Sequence, residues 1–122
     1  MSMSNSVLIV DDEDEIRELI GLQLASPDRS FQYAANGMEA IDILSNGSID
    51  LVISDIAMPK MNGFELLRKI KLLGLNTPVI ILTGHADSMV ANQLRSYSVK
   101  SFINKPWKKN ELEDAVTSIL KK

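Results

Sequence analysis

Three runs of apolar residues, Val7-Leu8-Ile9-Val10, Leu51-Val52-Ile53 and Val79-Ile80-Ile81-Leu82, are continuous rather than alternating, and a weaker pair, Phe102-Ile103, follows them. A strand with one wet face alternates apolar and polar residues, so an unbroken apolar run is the pattern of a strand covered on both faces. Between the runs the apolar residues take helical spacing: Ile16, Leu19, Ile20 and Leu24, then Ala40, Ile41 and Leu44, then Leu66, Leu67, Ile70 and Leu73. Met89, Val90 and Leu94 predict a fourth helix, and Leu112, Val116 and Ile119 a fifth. A further strand, Phe31 to Ala34, fits between Pro27-Asp28 and Asn36-Gly37, both of which are turn signals.

Five strands alternating with five helices predict an α/β fold with a parallel sheet, because parallel neighbours are joined only by crossovers, and these are nearly always right-handed. The expected architecture is a doubly wound (βα)5 three-layer sandwich of the flavodoxin-like kind, strand order 2-1-3-4-5. In that order ligands sit beyond the carboxyl ends of strands 1 and 3, where the winding reverses. Residues 1–6 read as a disordered leader and 7–122 as one domain; the chain stops where the fifth helix should end, so any output domain is expected to lie outside it. The apolar runs fall far short of the roughly 20 residues that cross a bilayer, and the polar start does not read as a secretory signal, so a cytoplasmic protein without a membrane span is expected. Cysteine is absent, which leaves oxygen ligands or the single His85 for any metal. A formal charge of -3 argues against direct nucleic-acid binding.

At the end of the first strand the apolar run gives way to Asp11-Asp12-Glu13-Asp14-Glu15, and the third ends in Ser54-Asp55. The strand order makes these ends neighbours. Carboxylates gathered there repel one another, and a hard cation relieves the repulsion. A Mg²⁺ (or Mn²⁺) site on Asp11, Asp12 and Asp55, with a backbone carbonyl from Ala57, is therefore expected. Glu13, Asp14 and Glu15 are equally explained as acids in a helix's first turn, where they meet the positive end of the helix dipole. The fourth strand ends in Thr83-Gly84-His85 and the fifth in Lys105-Pro106-Trp107, at the same crevice. A hydroxyl and an ammonium beside a carboxylate-bound cation suit phosphoryl transfer, in which catalysis is largely positioning and charge neutralisation. Asp55 would be the nucleophile, Lys105 would hold one phosphoryl oxygen and Thr83 another.

From Val7 to about Leu120 the chain resembles the response-regulator receiver family of bacterial two-component systems. The resemblance rests on Asp11 and Asp12, on Asp55 within Asp55-Ile-Ala-Met-Pro-Lys-Met-Asn-Gly63, on Thr83 and on Lys105-Pro106. It implies a phosphorylated aspartate at Asp55, a switch hydroxyl at Thr83, a switch aromatic at Phe102 and a cis peptide between Lys105 and Pro106. It places Ala57 and His85 where acyl-phosphate lifetime is tuned. His85 would either orient an attacking water or cap the fourth helix, the latter being the simpler reading. The implied output face is helix 4, strand 5 and helix 5, including Tyr97, Lys100, Phe102, Trp107 and Lys108; Trp107 at the start of helix 5 reads equally as a packing residue. Implied partners are a histidine kinase or phosphotransfer protein, an output domain or downstream effector, and a second copy on phosphorylation-dependent dimerisation. The chain departs from the family pattern in Ser98-Val99 before the fifth strand and in Gly84 after the switch threonine, which puts the strength of coupling to the fourth helix in question. A flavodoxin-type cofactor binder is disfavoured by the acids after the first strand, and a haloacid-dehalogenase-type phosphohydrolase by Ala57, where a second acid is needed. A phosphorylation-independent interaction module is the remaining alternative.

Overall fold

The computed structural model describes residues 4–56, 62–84, 97 and 99–120. In chain order the elements are β1 (Asn5–Val10), α1 (Asp14–Leu24), β2 (Arg29–Ala34), α2 (Gly37–Asn46), β3 (Leu51–Asp55), α3 (Gly63–Leu72), β4 (Val79–Thr83), β5 (Val99–Asn104) and a C-terminal helix (Lys109–Leu120). The five strands are all parallel and lie in the order β2-β1-β3-β4-β5. The expected fourth helix, with Met89, Val90 and Leu94, lies outside the described residues.

The continuous apolar runs form the three central strands, and successive side chains feed opposite layers. On one face Leu8, Val10, Val52, Val79 and Ile81 pack with Ala40 and Leu44 of α2 and Leu66, Leu67 and Ile70 of α3. On the other, Val7, Ile9, Leu51, Ile53, Ile80 and Leu82 pack with Ile20 and Leu24 of α1 and Leu112 and Val116 of the C-terminal helix. All five residues of β4 are buried, whereas the edge strands β2 and β5 mix exposed and buried positions. That difference explains why the edges carry the weaker sequence signal. Each fully buried Leu or Ile contributes about 1.5–3 kcal/mol relative to exposure, so the two layers together supply the main driving force for folding.

β1 begins at Asn5, inside the stretch expected to be a disordered leader. Hydrogen bonds from its backbone amides rather than side-chain burial hold this start: the Asn5 amide donates to the Asp28 carbonyl at 2.8 Å and the Ser6 amide to an Asp50 carboxylate oxygen at 2.7 Å. Hydropathy has no access to either bond. On the opposite edge the β4–β5 register jumps from Val79↔Val99 to Ile80↔Ser101, so Lys100 is the extra residue of a bulge.

Candidate functional site

The site forms at the carboxyl ends of β1, β3 and β4 and in the turn after β5. Parallel pairing sets it there, with Val10 opposite Ser54 and Asp55 opposite Leu82, so that Asp11, Asp55 and Thr83 stand at one rim. Asp11 is 1% exposed and Thr83 5%. The Asp55 side chain is 12% exposed. The Lys105 backbone amide donates to the Thr83 carbonyl at 2.8 Å, which extends the β4–β5 pairing one residue beyond the strand and brings the lysine over the rim.

The Lys105 ammonium donates to Asp55 Oδ2 at 2.9 Å and to Asp11 Oδ2 at 3.1 Å. Asp11 uses its other oxygen to accept the Glu13 amide at 2.9 Å. Burial pushes the Asp11 carboxyl above its ordinary value, and the Asp55 charge pushes it the same way. The Glu13 amide and the Lys105 ammonium offset only part of this. For Lys105, burial favours loss of the proton, but the bonds to Asp55 and Asp11 outweigh it and leave the ammonium held above its ordinary value. Lys105 is therefore a committed cation at neutral pH.

Asp11, Asp12 and Asp55 each offer a carboxylate oxygen within 4.8 Å of the other two. Oxygens on one octahedral Mg²⁺ lie at most about 4.2 Å apart, so the three carboxylates stand close to the spacing that a single cation needs. Among the described residues the acids outnumber the ammonium at this rim, and an all-oxygen donor set suits a hard cation. The residues present thus fit Mg²⁺ or Mn²⁺.

Gly63 lies against the same strand end. Its amide donates to the Ile56 carbonyl at 2.8 Å, and a Cβ there would stand 2.7 Å from both the Asp55 carbonyl oxygen and the Ile56 Cα. The preceding Asn62 caps α3 by accepting the Glu65 amide at 2.9 Å, while Glu65 accepts the Asn62 amide at 3.1 Å. This capping box fixes α3 one residue from the glycine that touches the Asp55 backbone.

The Lys105–Pro106 peptide is cis. Phe102 and Tyr97 pack against the α2–α3 layer, whereas Trp107 packs against the α1 layer and donates its indole N–H to Gln23 Oε1 at 2.8 Å. Lys100 and Lys108 are exposed. Ala57 and His85 lie outside the described residues. Asp14 and Glu15 stand in the first turn of α1, but Glu13 at its N-cap makes no side-chain cap. Two residues of the site's surroundings escape the sequence reading. Arg17 donates to the Asp11 carbonyl and pairs with Asp14, for which the i,i+3 spacing was an available signal. Gln23 accepts from Trp107 across 84 residues of sequence, and a lone amide on a helix gives no such signal.

Comparison with known proteins agrees with this arrangement. Residues 7–117 match the family described as response regulator receiver domain. The transcriptional regulatory protein GlrR of Escherichia coli is 37% identical over 114 residues, covering 93% of this chain but only 26% of GlrR, so the chain spans about a quarter of that relative. Sporulation initiation phosphotransferase F of Bacillus subtilis is 32% identical over 97% of this chain and 95% of its own length. Among solved structures, the response regulator TrrA of Thermotoga maritima, in complex with Mg(2+)-BeF, superposes with a TM-score of 0.83 at 33% identity, over 95% of this chain and 99% of that one. With its sheet order, its rim of carboxylates and its match along nearly all of its length, this chain belongs to the response regulator receiver domain family.

Proposed function

We propose that Asp55 accepts a phosphoryl group from the phosphohistidine of a histidine kinase or phosphotransfer protein, and that the modified domain acts on an output domain or downstream effector. The observation that carries this reading is the Lys105 ammonium shared between Asp55 and Asp11 at 2.9 and 3.1 Å, a cation already at the carboxylate that would be modified. An oxygen of Asp55 attacks phosphorus, the phosphorus–nitrogen bond breaks, and the imidazole leaves. Lys105 then turns from the Asp55 carboxylate to a phosphoryl oxygen, and Thr83 donates to another. Asp11, Asp12, Asp55 and the Ala57 carbonyl would hold Mg²⁺ (or Mn²⁺), which neutralises charge on the phosphoryl oxygens when bound. TrrA's solved complex with Mg(2+)-BeF supports that choice of cation.

Hydrolysis of the acyl phosphate by water would reset the domain, with Ala57 and His85 as the positions that set its lifetime. Movement of Thr83 toward the phosphoryl group would favour the inward Phe102 rotamer, a population shift between two arrangements rather than a new fold. The face bearing Tyr97, Lys100, Phe102, Trp107 and Lys108 would carry the signal to an effector or to a second copy of the chain. No described helix is long and apolar enough to cross a membrane. The net charge of -3 supports a protein partner over nucleic acid.

The test is intact-protein mass after incubation with acetyl phosphate, with Mg²⁺ or with chelator, on wild type and Asp55→Ala. A Mg²⁺-dependent, hydroxylamine-labile gain of one phosphoryl group, absent from Asp55→Ala, is expected. No gain from acetyl phosphate or from a phosphohistidine donor would leave the phosphorylation-independent interaction module as the reading.

A further inference from the structure

We infer that Gln23 and Trp107 are positioning residues for Lys105, and that α1 acts as a splint that sets the distance between the site's ammonium and its carboxylates. This rests on the reading that Lys105 neutralises a phosphoryl oxygen. Lys105 stands in the four-residue turn between Asn104, the end of β5, and Lys109, the start of the C-terminal helix. A turn of that kind fixes a side chain only as well as its own ties allow. Pro106 has no amide proton to contribute. Lys105 is tied through its amide to the Thr83 carbonyl, and the next tie is the Trp107 indole on Gln23 at 2.8 Å.

Gln23 and Trp107 are both half-buried, so their hydrogen bond is shielded and directional rather than a fluctuating surface contact. The same helix holds the opposite pole of the site: Arg17 donates to the Asp11 carbonyl, and Asp11 is one of the two carboxylates that Lys105 bridges. One rigid element thus grips the acid strand end near its first turn and the basic turn near its last. Since the two grips, Arg17 and Gln23, lie six residues apart on one helix, about 9 Å along its axis, loosening either one changes the ammonium-to-carboxylate distance.

The consequence has opposite signs for two measurements. Lys105 competes with a divalent cation for Asp11 and Asp55, so a loosened lysine tightens Mg²⁺ binding. It also supplies charge to the phosphoryl group, so a loosened lysine slows phosphorylation. General damage to the pocket would instead weaken Mg²⁺ binding and slow phosphorylation together.

The experiment measures Mg²⁺ affinity by isothermal titration calorimetry and phosphorylation by acetyl phosphate, for Gln23→Leu, Trp107→Phe and Gln23→Glu, each with Lys105 present and in a Lys105→Ala background. Gln23→Leu removes the acceptor at similar size, and Trp107→Phe removes the donor together with part of the packed ring. They should slow phosphorylation about three- to tenfold and tighten Mg²⁺ binding about two- to fivefold. Gln23→Glu keeps an acceptor and should restore the wild-type rate. In the Lys105→Ala background neither change should move Mg²⁺ affinity, a readout that survives even if that background is scarcely phosphorylated. If Lys105→Ala shifts both quantities while the Gln23 and Trp107 variants shift neither, or lower both together, or act in full without Lys105, the splint is overturned. If wild type takes no phosphoryl group and Lys105→Ala leaves Mg²⁺ affinity unchanged, the fault lies with the underlying function.

Discussion

Gly63 shows how much one missing side chain decides. It opens α3, and the space a methyl group would take is already filled by the Asp55 carbonyl oxygen and the Ile56 Cα at 2.7 Å. Both obstacles are backbone, which cannot rotate aside as a side-chain tip can. Gly63→Ala is expected to lower stability by about 1–3 kcal/mol, the usual cost of overpacking, and to slow phosphorylation by shifting Asp55; urea unfolding and mass-detected phosphorylation would check the two effects. A substituted protein with wild-type stability and rate would mean that the strand end yields freely. Gly63 itself stood out in the sequence only through family resemblance. The close approach that requires it arises from two segments meeting in space.

The elements are tied to one another at their ends as well as through the sheet. Arg29, the first residue of β2, donates to both Glu113 oxygens at 3.1 and 2.9 Å and to the Leu24 carbonyl at 2.9 Å, joining β2 and the end of α1 to the C-terminal helix. The bond from Arg29 holds the Glu113 carboxyl below its ordinary value of 4.5; burial opposes this, and the Thr117 hydroxyl assists it. A depressed carboxyl contributes stability that is present above the unfolded value and lost as pH falls through the folded one. Glu113→Gln should therefore be less stable than wild type at pH 7 by up to about 1 kcal/mol, a modest figure because the Glu113 side chain is 37% exposed. The gap should close as pH drops below 4.5, and denaturant titrations across that range would show it. A gap that persists at pH 3 would assign the effect to packing instead. None of this was legible beforehand, because Arg29 and Glu113 lie 84 residues apart and each alone reads as an ordinary surface charge.

Across the whole molecule, the legible part and the hidden part divide along physical lines. The central strands announce themselves because double-sided burial forces unbroken apolar runs, and the strand order then brings Asp11, Asp55, Thr83 and Lys105 to one rim. Edge strands, the first residues of β1 and the ties made by Gln23 and Arg29 depend on backbone pairing or on long-range polar contacts that leave no periodicity, whereas the Arg17–Asp14 pair left a readable i,i+3 spacing. If the carboxylate rim holds Mg²⁺ in the folded state alone, the cation at ten times its dissociation constant should add about 1.4 kcal/mol, or about 5 °C in Tm. Asp11→Asn should lose that shift, and calorimetry with Mg²⁺ or chelator would register it; an equal shift in both proteins would place the cation elsewhere. Trp107, finally, is the only tryptophan in the chain, and its indole is engaged two residues from Lys105. The near-ultraviolet emission of the entire protein therefore issues chiefly from one ring beside the site. Its colour and brightness make the turn legible in real time, without a label or a reporter enzyme.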